Sequence, residues 1–263
     1  ITSFIGPAAM TGDLIEIAKK TNRDLSSLAA VGGGGAARAP EQVKGIAKTF
    51  ANALPSTGWG MTETNAIGTG IAGEDYLERP GSSGRCSAVL DLAVFDESGN
   101  ELPQGERGEL RIRGTSVIQG YWRRPEANQE VFVDGWLKTG DVAYIDDEDY
   151  LYIVDRIKDL VIRGGENIGC AEVEAALLEY PLILEASAYA VPDDRLGEEV
   201  GTTIYSQSVI DLDELKAFLS AHIARFKIPR YFKVVAEPLP RIASGKINKR
   251  KLREIAAGEI QNS

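Results

Sequence analysis

Apolar and polar positions along this chain follow two rhythms, and the change between them shows its organisation. Leu14-Ile15-Glu16-Ile17-Ala18-Lys19-Lys20 carries helical spacing, and positions 24–28 read as a turn ahead of a strand. The apolar run 29–31 ends in Gly32-Gly33-Gly34-Gly35. Pro40 sits where the first turn of a helix tolerates proline, and 41–51 keeps helical periodicity. From 84 to 118 the pattern shortens to strands at 88–95 and 108–113, separated by turn residues at 96–100 and 103–105. Two strand pairs are predicted next, 136–138 with 143–145 and 150–154 with 160–162. Beyond them 172–178 reads as a helix, 186–191 as a strand and 212–222 as another helix. This alternation predicts a small α+β domain after a larger α/β portion.

Charge sharpens the boundary. Residues 1–155 hold 14 basic and 23 acidic groups, whereas 156–263 hold 15 and 16, so two domains are expected, 1–155 and 156–263. The net charge of −10 argues against a general nucleic-acid or anionic-membrane binder, because both need a basic face. No apolar run reaches the ~18 residues of a membrane span, and the start of the chain lacks the basic flank of a signal peptide. Cys86 and Cys170 show no metal-ligand spacing and suit a reducing compartment, so a cytoplasmic location is expected. His222 is the single histidine, which leaves no room for a multi-histidine zinc site and counts against a histidine-based triad.

Several short motifs carry candidate chemistry, each with a plainer alternative. Gly68-Thr69-Gly70-Ile71-Ala72-Gly73 fits a dinucleotide fingerprint by letter, but acidic residues and an early Pro80-Gly81 follow it, so a glycine-rich loop is the better reading. Gly32–Gly35 is either backbone that approaches a ligand or a turn. In Gly58-Trp59-Gly60-Met61-Thr62-Glu63-Thr64, the indole can offer a ring face to a base and the hydroxyls of Thr62 and Thr64 can meet phosphate oxygens. Glu63 there is a hard oxygen ligand for Mg²⁺; the alternative is a strand end with a core tryptophan. Thr139-Gly140-Asp141 reads as a turn whose carboxylate can accept two ribose hydroxyls, or as a turn alone. Asp155-Arg156-Ile157-Lys158-Asp159 is either a hairpin tip or a polar hinge. Lys246, closing Pro240-Arg241-Ile242-Ala243-Ser244-Gly245-Lys246, can neutralise a developing phosphate charge, unless the segment is only a charged tail.

The order of these motifs is more telling than any one. Together with Gly108-Glu109-Leu110-Arg111-Ile112-Arg113-Gly114, Gly120-Tyr121-Trp122 and Gly164-Gly165-Glu166-Asn167-Ile168, the chain resembles the adenylate-forming superfamily of acyl-CoA synthetases, luciferases and peptide-synthetase adenylation domains, in its acyl-CoA ligase branch. The likeness implies the rear part of a large adenylation domain with a β-barrel-like layer over 84–155, followed by a small mobile α+β domain. It also implies roles. Gly35 and Ala36 would line the adenine and acyl pocket, Trp59 would stack on adenine, Thr62 would contact the α-phosphate and Glu63 would hold Mg²⁺. Asp141 would bind the ribose with Arg156 in support, Lys158 would be the hinge, Gly165 would border the pantetheine tunnel, and Lys246 would bridge carboxylate and α-phosphate.

The activity so implied is ATP-dependent activation of a carboxylic acid, fatty by the look of Gly164–Ile168, as acyl-adenylate, followed by transfer to CoA. Three departures bear on it. The phosphate loop ending in Pro-Lys-Gly that such synthetases carry upstream of the glycine-rich turn has no counterpart here, so the chain is expected to be a fragment that adenylates poorly or not at all by itself. Trp59 stands where tyrosine is commoner, and Gly169-Cys170 where Tyr-Pro is usual. The competing expectations are an aryl or other carboxylate activator with a different acceptor, and a non-catalytic fragment that binds nucleotide or a partner.

Overall fold

Val43 and Ile46 lie one helical turn apart and are both fully buried, as the spacing of 41–51 dictates. They belong to the first of two compact units, Ile1–Ile153 and Val154–Ser263. The structure, a computed structural model, describes residues 1–6, 8–21, 23–34, 38, 40–242 and 245–261.

The first unit opens with β1 (Ser3–Ile5), α1 (Ala8–Lys20), β2 (Ala30–Gly34), α2 (Pro40–Thr49) and β3 (Leu54–Gly58), whose three strands pair in parallel. β4 (Thr69–Ala72), α3 (Gly73–Glu78) and β5 (Arg85–Cys86) follow, and the two strands extend the sheet antiparallel in the order β1-β2-β3-β4-β5. Ile15, Val31, Ile46 and Phe50 form the core between helices and sheet. The glycine run was expected as a turn or a ligand approach; Gly32, Gly33 and Gly34 lie inside β2, so these three do not form a turn. A Cβ on Gly32 would meet Ser56 Oγ at 2.3 Å and one on Gly33 would meet Gly6 O at 2.0 Å, so crowding between strands explains the residue choice. Gly68–Gly73 spans β4 and the start of α3, and β4 is antiparallel to both neighbours, which is not the parallel frame a dinucleotide fingerprint needs.

The second sheet contains β6 (Leu90–Phe95), β7 (Gly108–Gly114), then after α4 (Pro125–Val131) β8 (Phe132–Val133), β9 (Trp136–Ile145) and β10 (Leu151–Arg156), in which the first unit ends at Ile153. Its order is β10-β9-β7-β6 with β8 on β9, and this ladder is what the region expected to be barrel-like forms. Two expectations are corrected here. The strands predicted at 136–138 and 143–145 are one strand, β9, because 139–141 is a bulge and not a turn. Arg111 faces Lys138 and Glu109 faces Val142, so Thr139, Gly140 and Asp141 all stand opposite Leu110. The strands predicted at 150–154 and 160–162 do not pair either: β10 lies beside β9, and the segment between is a 3-10 turn, Ile157–Asp159, rather than a hairpin tip.

In the second unit, β11 (Val161–Arg163), β12 (Glu166–Ile168), α5 (Cys170–Leu178), β13 (Glu185–Asp193) and β14 (Gly197–Tyr205) precede α6 (Leu212–Ser220), β15 (Tyr231–Val235) and α7 (Lys249–Gln261). The sheet runs β12-β11-β14-β13, with β15 parallel to β14. Strand β13 is buried on both faces, and alternate residues show why. Ala186, Ala188 and Ala190 join the core made with α5 and α6, whereas Tyr189 and Val191 join Leu239, Leu252 and Ala256 beneath α7. Asp211 caps α6 by accepting from the Asp213 and Glu214 amides at 2.9 and 3.2 Å. No helix among the described residues is long and apolar enough to cross a membrane.

Candidate active site

Trp59 leaves β3 with its backbone tied to β4: Thr69 N donates to Trp59 O at 2.8 Å. A Cβ on Gly68 would lie 2.1 Å from that oxygen and 2.8 Å from ring atom Cε3, so the indole occupies space that only a glycine leaves. The half-buried ring packs against Leu90, Ile112 and Leu137 and against Leu110, Ala143 and Leu151. Its Nε1 donates to Asp141 Oδ2 at 2.9 Å. Asp141 is only 3% exposed, and a buried carboxylate needs such donors. The bulge sets its position. Thr139 Oγ1 donates to Leu110 O at 2.7 Å and accepts from Asp141 N at 3.1 Å, while Gly140 takes φ +71°. The structure thus joins two expected site residues, Trp59 and Asp141, and Trp59 is at once a core-packed ring and a donor.

Beyond Trp59 lies a three-residue 3-10 turn, Thr62–Thr64, that ends on Asn65 in the left-handed region. Thr64 was expected to offer its hydroxyl to phosphate. It is fully buried instead, and its Oγ1 is used within the turn, donating to Met61 O at 3.0 Å and accepting from Met61 N at 3.2 Å. Thr62 remains exposed and Glu63 half-exposed. Tyr121 Oη donates to Glu63 Oε1 at 2.7 Å. The tyrosine is held by Asn128, whose side chain accepts from Tyr121 N at 2.7 Å and donates to Tyr121 O at 3.1 Å. Burial first, then the Glu63 carboxylate, push the Tyr121 phenol up to about 12. No role for Tyr121 was read from the sequence, although Gly120-Tyr121-Trp122 stood out as a motif.

Among the described residues no group of three His, Cys, Asp or Glu side chains could hold a metal alone. One carboxylate, Glu63, fits a Mg²⁺ that arrives with phosphates, since that ion keeps several waters and takes few protein ligands. Gly35 and Ala36 lie outside the described residues.

Arg156 ends β10 and Lys158 sits in the 3-10 turn; both are exposed. Asp155, before them, is 8% exposed and accepts from Arg156 N at 2.7 Å and from Ala171 N at 3.1 Å, so it caps α5 from a distance. Cys170 Sγ donates to Asp159 O at 2.9 Å. Gly165 lies in the two-residue turn between β11 and β12, with Gly164 at φ +57° and Gly165 at +94°, the left-handed pair such hairpins require. A Cβ on Gly165 would meet nothing within 4 Å. Lys246 is exposed in the segment before α7.

Just beyond it, Lys249 Nζ meets Glu174 Oε1 at 3.0 Å, and that oxygen also accepts from Ala188 N at 2.8 Å. Burial raises the Glu174 carboxyl against the pull of Lys249. For Lys249 burial works downward, but Glu174, Cys170 and Asp155 outweigh it and the amine rises.

The sequence profile of the AMP-binding enzyme family matches residues 1–122, and that of the AMP-binding enzyme C-terminal domain matches residues 172–246. The chain belongs to the AMP-binding, adenylate-forming enzyme family. A 2-succinylbenzoate–CoA ligase from Bacillus velezensis is 39% identical over 202 residues, which cover 77% of this chain and 41% of the relative. The long-chain-fatty-acid–CoA ligase FadD13 of Mycobacterium tuberculosis is 38% identical over 198 residues, covering 75% and 39%. Among solved structures, the o-succinylbenzoate CoA synthetase of Bacillus subtilis in complex with its acyl-adenylate intermediate superposes with a TM-score of 0.86 at 31% identity, over 96% of this chain and 51% of that one. The same synthetase has been solved with ATP and a magnesium ion. The chain thus spans about two fifths to about half of the length of these family members.

Proposed function

We propose that this chain serves an ATP-dependent acid–thiol ligase that activates a carboxylic acid as acyl-adenylate and passes the acyl group to CoA. The observation that carries this reading is the Trp59 Nε1–Asp141 Oδ2 hydrogen bond, because it places an aromatic ring beside a buried carboxylate, the pair a nucleoside needs. Trp59 would meet the adenine, Asp141 and Arg156 the ribose, and Thr62 the α-phosphate, with Gly35 and Ala36 beside the base and the acyl group. Glu63, oriented by Tyr121, would hold Mg²⁺ with the phosphates; the ion would neutralise phosphate charge there. Lys246 would draw the attacking carboxylate and the α-phosphate together. The carboxylate oxygen bonds to the α-phosphorus as the bond to pyrophosphate breaks, and the thiolate of CoA then displaces AMP. In that second step Lys158 would be the hinge and Gly165 would leave the thiol its path.

We assign 1–155 to the large domain of such an enzyme and 156–263 to its small mobile domain. The setting is the cytoplasm, where ATP and CoA are supplied and where Cys86 and Cys170 persist as free thiols. The acid is a fatty acid in our first reading. The 2-succinylbenzoate ligase among the relatives supports an aryl acid as the second.

The test is incubation with Mg·ATP, CoA and either fatty or aryl acids, scoring AMP and acyl-CoA by mass spectrometry, beside a reaction given preformed acyl-adenylate and CoA. Acid-dependent products that vanish in D141N support the reading. In K246A, adenylation should fall while transfer from preformed acyl-adenylate persists; equal loss of both overturns the role of Lys246.

A further inference from the structure

The described residues of the segment that carries Lys246, 240–242 and 245–248, are joined to one another. Arg241 and Ile247 face each other across an isolated bridge, Ile242 N donates to Lys246 O at 2.9 Å, and Asn248 N donates to Pro240 O at 2.7 Å. Gly245 N donates back to Ile242 O at 2.9 Å, with Gly245 at φ +83°. One side chain spans this closure and fastens it to the sheet. Arg241 Nη1 donates to Gly245 O at 2.7 Å, the carbonyl directly before Lys246, while Nη2 pairs with Glu185 Oε1 at the start of β13. The second oxygen of Glu185 accepts from Leu239 N at 2.8 Å, just ahead of the loop. The far end is fixed as well: Lys249 is paired with Glu174, and Asn248 Oδ1 accepts from Lys251 N at 3.1 Å to cap α7.

We propose that Arg241 and Glu185 form a latch that holds the Lys246 loop in its working shape, which makes Arg241 a positioning residue for adenylation. The physical case is entropic. A lysine on an unconstrained loop must be ordered at each encounter with its anionic target, whereas one whose flanking residues are joined by three backbone bonds and fastened by a forked guanidinium is ordered beforehand. Arg241 fits this use better than lysine would, since its rigid planar fork offers one N–H group to the carbonyl and another to the carboxylate in a fixed geometry. Ordinary anchoring of a surface loop needs no donor to the carbonyl of the residue that precedes the functional lysine. This proposal rests on the role given to Lys246 above.

Two measurements separate the latch from that role, the first on this chain and the second on an adenylation-competent protein that contains it. The first is amide hydrogen exchange across 239–248 in the parent, R241A, R241K and E185Q. We expect exchange at the Gly245 and Asn248 amides to speed up by about tenfold or more in R241A, less in R241K and E185Q, with β13 and β14 amides unchanged. Unchanged loop amides in R241A and E185Q would remove the latch, whatever Lys246 does. The second compares the half-reactions. R241A should slow adenylation by about tenfold or more and leave transfer from supplied acyl-adenylate within about twofold, with part of the loss recovered in R241K. Equal losses in both half-reactions, or no recovery in R241K, would mark Arg241 as a general structural residue and overturn the positioning role. If K246A leaves adenylation intact while R241A still loosens the loop, the assignment of Lys246 fails and the latch stands as a structural feature only.

Discussion

Trp59 and Asp141 are 82 positions apart in sequence and meet through one hydrogen bond of 2.9 Å between indole and buried carboxylate. Phenylalanine at 59 keeps most of the apolar ring and removes only the donor. W59F should therefore destabilise the first unit by about 1–3 kcal/mol, the cost of depriving a buried acceptor of a partner. It should also weaken AMP binding, with W59F and D141N non-additive in a double-mutant cycle. Urea unfolding and AMP titration check both; additive effects would mean that the bond orients nothing.

Gly140 isolates backbone from side-chain causes. Its φ of +71° is costly for any L-residue, yet a Cβ there meets nothing within 4 Å. G140A should cost about 1–2 kcal/mol through the dihedral alone. Chemical denaturation measures this, and a loss near zero would show that the bulge relaxes freely.

Alkaline stability should depend on Tyr152. Burial, then the neighbouring Asp146 carboxylate, push its phenol up to about 12, and its ring stacks on Tyr144 at 4.8 Å. A folded pKa above the unfolded value of 10.0 means that stability from this group is fully present below pH 10 and is lost as pH rises through 12. Tyr121 adds to the same window. Unfolding free energies at pH 9 and 11 should fall less steeply in Y152F than in the parent protein; parallel slopes would count against the shift.

The two thiols should react at very different rates. Cys170 is fully buried, its thiol is raised chiefly by burial, and its Sγ donates to Asp159 O. Cys86 is half-buried and raised by burial with a contribution from Asp91. A thiol reagent under native conditions should label Cys86 first and reach Cys170 only with denaturant. Mass spectrometry of the labelled peptides reads the order, and early labelling of Cys170 would show that the α5 start opens readily.

Much of this molecule could be read before folding it, and the parts that could not share a cause. Helix α2 and strand β7 show in local periodicity, because one face of each meets a core. Trp59, Thr62, Glu63 and Asp141 were picked out by the order of motifs, each with local chemistry of its own. Thr139-Gly140-Asp141 was read as a turn because glycine beside Asp usually makes one; only the ladder with β7 reveals a bulge. β14 escaped because its residues alternate between two buried faces, which leaves little hydrophobic rhythm to detect. Arg241 meets Glu185 across 56 positions, and nothing local to either residue announces the other.

The bulge in β9 has a further consequence, which is one of parity. Three residues stand opposite Leu110 where one would suffice, an excess of two, and side chains on a strand change face with every step. An even excess leaves the alternation intact, so Leu137, Asp141 and Ala143 all remain on the buried face on either side of the bulge. Deleting one residue here would turn half the strand inside out, whereas deleting two could restore a plain ladder with the same core. The carboxylate corner is thus an insert on which the strand's register does not depend, free to be reshaped while the scaffold stays in step.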